Sequence, residues 1–448
     1  MAQLSDDCFA FGGDLMLAAE AHNRLLSLSH VVVGSETCGL AEACGRVLSE
    51  DIIAGCDVPP HNNSAVDGWA VYFEDLSQTG ETKLKWRERI PAGRPLVNEA
   101  LRGYAVRIFT GAPMPLGKDG SPGPNTVLMQ EDCREENGIV SIPLGIKRGA
   151  NCRKAGEDIQ SGKTILSVGH FLRPQDIGMV ASVGITKLSI YKQLRVAIFS
   201  SGDEVFEPGI KLPLGGIYDS NRLMIIAFLK SLGCKVSDFG ILPDQLSQTT
   251  KALEIATAEH DLVITSGGVS TGEEDHIKTA IEYLGHLNFW RLAIRPGRPI
   301  AFGQIGRIPF IGLPGNPVAA VVTFLRFARP LILRLSGGID VEPKCYQVQA
   351  NFTYKKKKGR REWLRVRTQR QTDGSIIAEK YYRDGAGILS SIAFAFYGSL
   401  VGLIISSIIT TQLYVPLKFW FNRNPGLALP LIALQYHEVK IVAEWKQG

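Results

Sequence analysis

The stretch "TSGGVSTGEED", Thr265–Asp275, combines two adjacent glycines, four hydroxyl side chains and a run of acids. Gly267 and Gly268 let backbone N–H groups turn inward, and Ser266, Ser270 and Thr271 add hydroxyl donors, a nest that suits phosphate. Asp275 beside it offers a carboxylate to magnesium, because hard cations take carboxylate and phosphate oxygen. The competing reading is that Asp275 caps the helix that follows. A second stretch, "RLAIRPGRPIAF", sets Arg295 and Arg298 on either side of a Pro-Gly turn. Two guanidinium groups so close repel unless an oxyanion, or acidic partners in a solvated turn, sits between them. In "GLPGNP", Pro314 and Gly315 precede Asn316 as a helix cap and Pro317 at the first helical position, leaving free N–H groups for an oxyanion. "SSGDE" supplies Asp203 and Glu204, and "PDQ" supplies Asp244. Carboxylates next to oxyanion cradles make sense where a divalent metal bridges them. Further upstream, Asp67 stands beside Gly68 with Asn63 and Ser64 nearby, and Thr110 lies in "FTGAPMP"; plain turn chemistry accounts for both stretches. No Ser-His-Asp order, Walker motif or G-x-G-x-x-G is present.

These loops need elements to hold them. "DLMLAAEAHNRLLSL", "GLAEACGRVLSEDI" and "LRPQDIGMVASVGI" have helical spacing, whereas 57–149 reads as short β runs broken by Gly and Pro. From Leu194 to Gly338 strands alternate with helices, which predicts a parallel sheet covered on both faces. The loops Ser200–Glu204, Ser266–Asp275 and Leu313–Pro317 each follow a predicted strand, so they belong on the one rim where such sheets bind ligands. Beyond Pro343 come "YQVQANFTY", a basic hairpin "KKKKGRREWLRVRTQ" and "GSIIAEKYY". The fold class is therefore α/β and multidomain, with β-rich modules.

The chain has 448 residues, 45% hydrophobic and 21% charged, the composition of an ordinary globular protein of several domains. A net charge of +5 gives no general affinity for nucleic acid, and Lys355–Arg361 lacks interleaved aromatics. Eight scattered cysteines without a C-x-x-C pair argue against a zinc site and for a reducing, cytoplasmic setting.

In order, "NSAVDGWAV", "RIFTGAPMP", "KAGEDI", "FSSGDE", "IYDSNR", "TSGGVSTGEEDH", "AIRPGRP" and "GLPGNPV", with "GRREWLRVR" and "GAGILSS" more loosely, resemble the MoeA family. These are the molybdopterin molybdenumtransferases, related to the C-terminal part of gephyrin, and the likeness runs from about 10 to 391. It implies an elongated four-domain homodimer: domain I at 10–56 and 150–193, β-rich domain II at 57–149, a molybdopterin-binding, MogA-like three-layer domain III at 194–338, and β domain IV at 339–391. The reaction implied is insertion of molybdenum from molybdate into adenylylated molybdopterin with Mg2+, releasing AMP. Asp67, Thr110 and Asp158 would reach the site from one chain. Glu204, Asp275, Arg295, Arg298, Pro314 and Pro317 would line it from the other, with Asp67, Asp158, Glu204 and Asp275 catalytic and Glu204 and Asp275 on the metal. Arg295 and Arg298 stand where relatives often carry lysine. A molybdopterin adenylyltransferase is an implied partner. The alternatives are adenylyl transfer by this chain itself and a non-catalytic, gephyrin-like scaffold.

The end departs from that family. No charged residue occurs from Gly385 to Leu417, and Ile392–Ile409 is about the minimum length for a bilayer crossing. A membrane anchor through 392–417, an apolar hairpin packed on domain IV, and a divergent or aberrant terminus are the three readings of the tail 392–448.

Overall fold

The computed structural model describes residues 15–268, 276–343, 348–356, 359–383, 385, 387, 389–396 and 404–407. Its largest unit is a six-stranded sheet in the order Lys235–Leu242, Arg195–Ser201, Leu262–Ser266, Ile308–Leu313, Pro299–Ile305, Gly285–Arg291. The strand Arg195–Ser201 shows why it is central. Val196 and Ile198 enter one core, with Ile225, Leu229, Val318 and Phe327, while Ala197 and Phe199 enter the other, with Leu253, Ala256, Ile277 and Ile281. Successive side chains point to opposite faces, so a continuous apolar run means both faces are covered. Helices Asn221–Ser231 and Pro317–Thr323 cover one face, and Leu246–Glu259 and His276–Leu284 the other, a three-layer α/β/α sandwich.

The expectation of an all-parallel sheet needs correction. The four strands that carry the loops are parallel. Pro299–Ile305 runs antiparallel to both its neighbours, Ile308–Leu313 and the edge strand Gly285–Arg291. The reason is local: only Gly306 and Arg307 separate Ile305 from Ile308, and a two-residue turn can join only antiparallel strands.

The β module forms a second six-stranded sheet, ordered Thr126–Met129, Gly68–Val71, Tyr104–Ile108, Thr82–Ile90, Ile139–Ile142, Arg134–Glu136. It buries Trp69, Leu84, Ala105 and Val140 on one face and Ala70, Ile90, Val106 and Ile108 on the other. Between the two units, Ser35–Gly39 pairs with Lys187–Tyr191, and Leu48, Leu172, Val180 and Ile190 form a smaller core. Helix Ala18–Leu28 packs instead on the α/β unit, where Ala21 and Leu25 meet Leu331 and Phe327 within one cluster. "GLAEACGRVLSEDI" is not one helix: only Leu40–Ala43 is helical, and Gly45, at φ 81°, turns the chain into extended pairing at Val47 and Leu48.

After Pro343, Arg361–Arg370 pairs with Ile376–Lys380, so the hairpin's tip falls at 371–375 rather than in the lysine run. In the apolar stretch, Leu389–Phe396 is a helix and Ile404–Ser407 is a strand beside Glu362–Arg365. Among the described residues no helix is long and apolar enough to cross a membrane. The rest of 392–417, for which a membrane anchor is one of the three readings, lies outside the described residues.

Candidate active site

The carboxyl ends of the parallel strands open into a cavity of about 800 Å³. Glu204, Ser266, Gly267, Gly268, Arg295, Arg298, Pro314, Gly315, Asn316 and Pro317 all line it. Ser270 and Asp275, on the same loop as the glycines, lie outside the described residues.

Each wall has its cause. At Gly267 and Gly268 the chain adopts φ of 86° and 64°, a left-handed pair that turns the backbone sharply at the rim. A Cβ on Gly268 would stand 2.2 Å from Ile277 Cδ1 and 2.5 Å from Ser201 Oγ, so no side chain fits there. The Gly267 N–H donates to Leu313 O at 3.0 Å, tying this loop to the one carrying Pro314. Gly202, at φ 131°, makes room for the Glu204 carboxylate, whose Oε2 would lie 2.7 Å from an added Cβ.

Asn316 sits at the N-cap of Pro317–Thr323, but its side chain makes no capping bond, contrary to the sequence expectation. The cap side chain is thus not spent on the helix, and only the Asn316 backbone carbonyl accepts the Ala320 N–H, at 2.9 Å. Arg295 is half-buried and Arg298 exposed, and among the described residues neither forms an ion pair. The acidic-partner reading of this turn therefore finds no partner there, while the oxyanion reading keeps its two cations.

Several lining residues escaped the sequence reading. Asp219, only 3% exposed, is tied to Arg222, which also pairs with Asp238 and Glu207. This buried arginine is shared among the three carboxylates and fixes the Asp219 side chain at the pocket wall. Asn221 donates from Nδ2 to Gly315 O at 2.7 Å, fixing the amide so that Oδ1 is left without a partner among the described residues. Their signal lay in the polar run "YDSN" ahead of an apolar helix, which capping alone appeared to explain. Gly385 reaches the pocket from the C-terminal region because buried Arg365 donates to its carbonyl at 3.2 Å and to Ser391 Oγ at 3.1 Å. Only the tertiary fold carries that contact.

Asp67 and Thr110 meet each other: Thr110 donates its N–H at 2.7 Å and its hydroxyl at 2.8 Å to one Asp67 oxygen. Those two bonds, then the nearby Arg107 charge, hold the Asp67 carboxyl below its ordinary range against a small opposing burial effect. Asp158 lies apart on an exposed turn, its N–H donating to Val58 O. None of the three lines the cavity within a single chain.

The chemistry on offer is anion binding and charge stabilisation. Burial pushes the thiols of Cys133 and Cys152 up to about 11 and that of Cys234 to about 12, so they are not thiolate nucleophiles at neutral pH. Among the described residues no group of three His, Cys, Asp or Glu could hold a metal unaided. Glu204 and Asp244 nevertheless give oxygen donors of the kind that hold Mg2+ together with substrate phosphates.

Known proteins match this arrangement. Residues 16–184 match the family model described as the MoeA N-terminal region (domain I and II), 197–334 the "Probable molybdopterin binding domain", and 347–395 the MoeA C-terminal region (domain IV). Residues 405–447 match a different model, the major capsid protein N-terminus. The chain is 38% identical to a molybdopterin molybdenumtransferase of Haemophilus influenzae over 83% of this chain and 91% of that one. It is 33% identical to molybdopterin molybdenumtransferase 2 of Mycobacterium tuberculosis, over 72% and 80% respectively. The crystal structure of the molybdopterin biosynthesis moeA protein from Pyrococcus horikoshii superimposes with a TM-score of 0.72 at 28% identity, covering 90% of this chain and 97% of that one. The three MoeA segments, their order, and a relative matched over nine-tenths of its length lead to one conclusion: the chain belongs to the MoeA family.

Proposed function

We propose that this chain is a molybdopterin molybdenumtransferase, which takes molybdenum from molybdate into adenylylated molybdopterin and releases AMP. The observation that carries it is the pocket: a glycine turn, a helix start and two arginines that form no ion pair among the described residues, around one cavity with carboxylates at its edge. Breaking a phosphoanhydride places charge on phosphate oxygens, and fixed donors and cations stabilise it without a protein nucleophile. In this reading Gly267, Gly268 and Ser266 cradle phosphate, and Arg295 and Arg298 hold the oxyanions. Glu204 and Asp244, with Asp275, would hold a divalent ion, Mg2+ by their oxygen chemistry, which would add Lewis-acid neutralisation of phosphate charge. Asp67, Thr110 and Asp158 belong to the same reaction if the protein is a homodimer, each pocket facing the partner's β module. The division into domains I to IV, ending near 391, goes with this reading. The matched N-terminal region supports insertion rather than adenylyl transfer alone.

The test is direct. Purified protein with adenylylated molybdopterin, magnesium and molybdate is expected to release AMP in proportion to molybdate. AMP release indifferent to molybdate would overturn the proposal.

A further inference from the structure

The β module carries a second cavity, of about 550 Å³, lined by Trp69, Trp86, Arg89, Arg107, Phe109 and Glu135 among others. Strand pairing puts these residues on one face. Trp69 lies opposite Arg107, and Trp86 opposite Ala105, but the next pair on that strand is Arg89 with Arg107. Three steps along one strand therefore match two along its neighbour, which is a β-bulge. Without it Arg89 would face away from Trp86, because side chains alternate. The left-handed residue of the bulge is Glu88, at φ 68°, where a non-glycine residue is uncommon. Asn98 Nδ2 donates to its carboxylate at 3.0 Å.

The result is an aromatic and cationic groove. The indoles sit 5.5 Å apart at 56°, and Glu135 accepts the Trp86 Nε1–H at 3.2 Å. The guanidinium of Arg107 lies 5.0 Å from the Trp69 ring and 4.9 Å from the Phe109 ring, and that of Arg89 lies 4.6 Å from Phe109. Among the described residues neither arginine forms an ion pair with a carboxylate. Trp69 is buried, but Trp86 and Phe109 stay partly exposed beside exposed Arg89 and half-buried Arg107. Arg107 also bonds to Gln130 and the Gly68 carbonyl, and the two positive charges ask for an anion. The groove adjoins Asp67, two residues before Trp69, and Thr110, one residue after Phe109.

We propose that this groove binds a planar heteroaromatic anion, its fused ring stacked against Trp86 and Phe109 and its phosphate or carboxylate held by Arg89 and Arg107. A pterin and an adenine nucleotide share that chemistry. The proposal stands on the β module and does not depend on the reaction proposed above.

Calorimetric titration of the full chain tests it, with AMP, pterin-6-carboxylate and ring-free ribose 5-phosphate as probes. An Arg298→Ala background weakens binding at the other pocket, and only the binding that Arg89→Gln removes is assigned to the groove. At least one ring-bearing anion is expected to bind, at least about tenfold tighter than ribose 5-phosphate, and whichever does identifies the ring. Arg89→Gln, at an exposed position, is expected to weaken that binding about tenfold, and Trp86→Leu to weaken it further. Equal binding of ribose 5-phosphate, no binding of either ring, or binding unchanged by Arg89→Gln would each overturn the proposal. Arg89→Gln decides the matter alone if Trp86→Leu lowers the melting temperature.

Discussion

The α/β unit and the β module hold their functional groups in opposite ways. In the α/β unit, loops from widely separated parts of the chain converge: Gly267, Arg295 and Gly315 meet only because parallel strands end on one rim. Backbone groups do most of that work, and close packing leaves them no freedom. In the β module, Asp67 is positioned at the surface by just two hydrogen bonds, both from one exposed residue 43 positions on, Thr110. A rigid cradle suits an anion whose position must not change, and a carboxylate on a surface turn suits a group that acts on something brought to it. Errors should therefore be costlier in the first region than in the second.

Substitutions can break that contrast. Gly268→Val, which collides with Ile277 and Ser201, is expected to lower AMP release by roughly 10³-fold, measured beside a circular-dichroism spectrum that stays native. Asp67→Ala should cost less, roughly 10²-fold in kcat with little change in melting temperature. An equal loss at the two positions would mean the difference in rigidity has no functional weight.

The two-chain reading can be sharpened by mixing. If Asp67 serves the partner's pocket, Asp67→Ala and Glu204→Ala proteins unfolded and refolded together should recover about a quarter of wild-type activity, since half the dimers are mixed and each has one intact site. No recovery would place both residues on the same side of the site. Arg298→Ala, losing one of two cations, is expected to raise KM about tenfold, with an effect that shrinks in high salt.

A position outside both regions gives the smallest effect on activity. Burial would raise the Asp176 carboxyl, but hydrogen bonds from Arg173 and His170 outweigh it and bring it to about 2. Its folded value lies below the ordinary 3.8, so its contribution of about 2 kcal/mol is complete above about pH 4 and is lost as pH falls through 2. Asp176→Asn should lower the melting temperature at pH 7 and flatten its acid dependence, leaving AMP release per folded molecule unchanged.

Much of this was legible in the residues themselves. Apolar runs followed by glycine turns located the strands and the rim, because a buried parallel strand must be apolar throughout and its loop must bend sharply. The chemistry of "SGG", "IRPGRP" and "GLPGNP" is written in residue types, and so is the family likeness. Other features were decided by tertiary structure. Asn221 looks like a cap residue until the Gly315 carbonyl, distant in sequence, gives it another partner, whereas Asp219 does accept the Arg222 N–H at 3.1 Å at the helix start. Gly385 enters the pocket through Arg365, and Trp86 and Arg89 share a face only because Glu88 bulges. The physical reason is common to all three. Local sequence specifies backbone conformation and which face is apolar, whereas the partner of a polar group is chosen by whichever distant segment packing brings within hydrogen-bond reach.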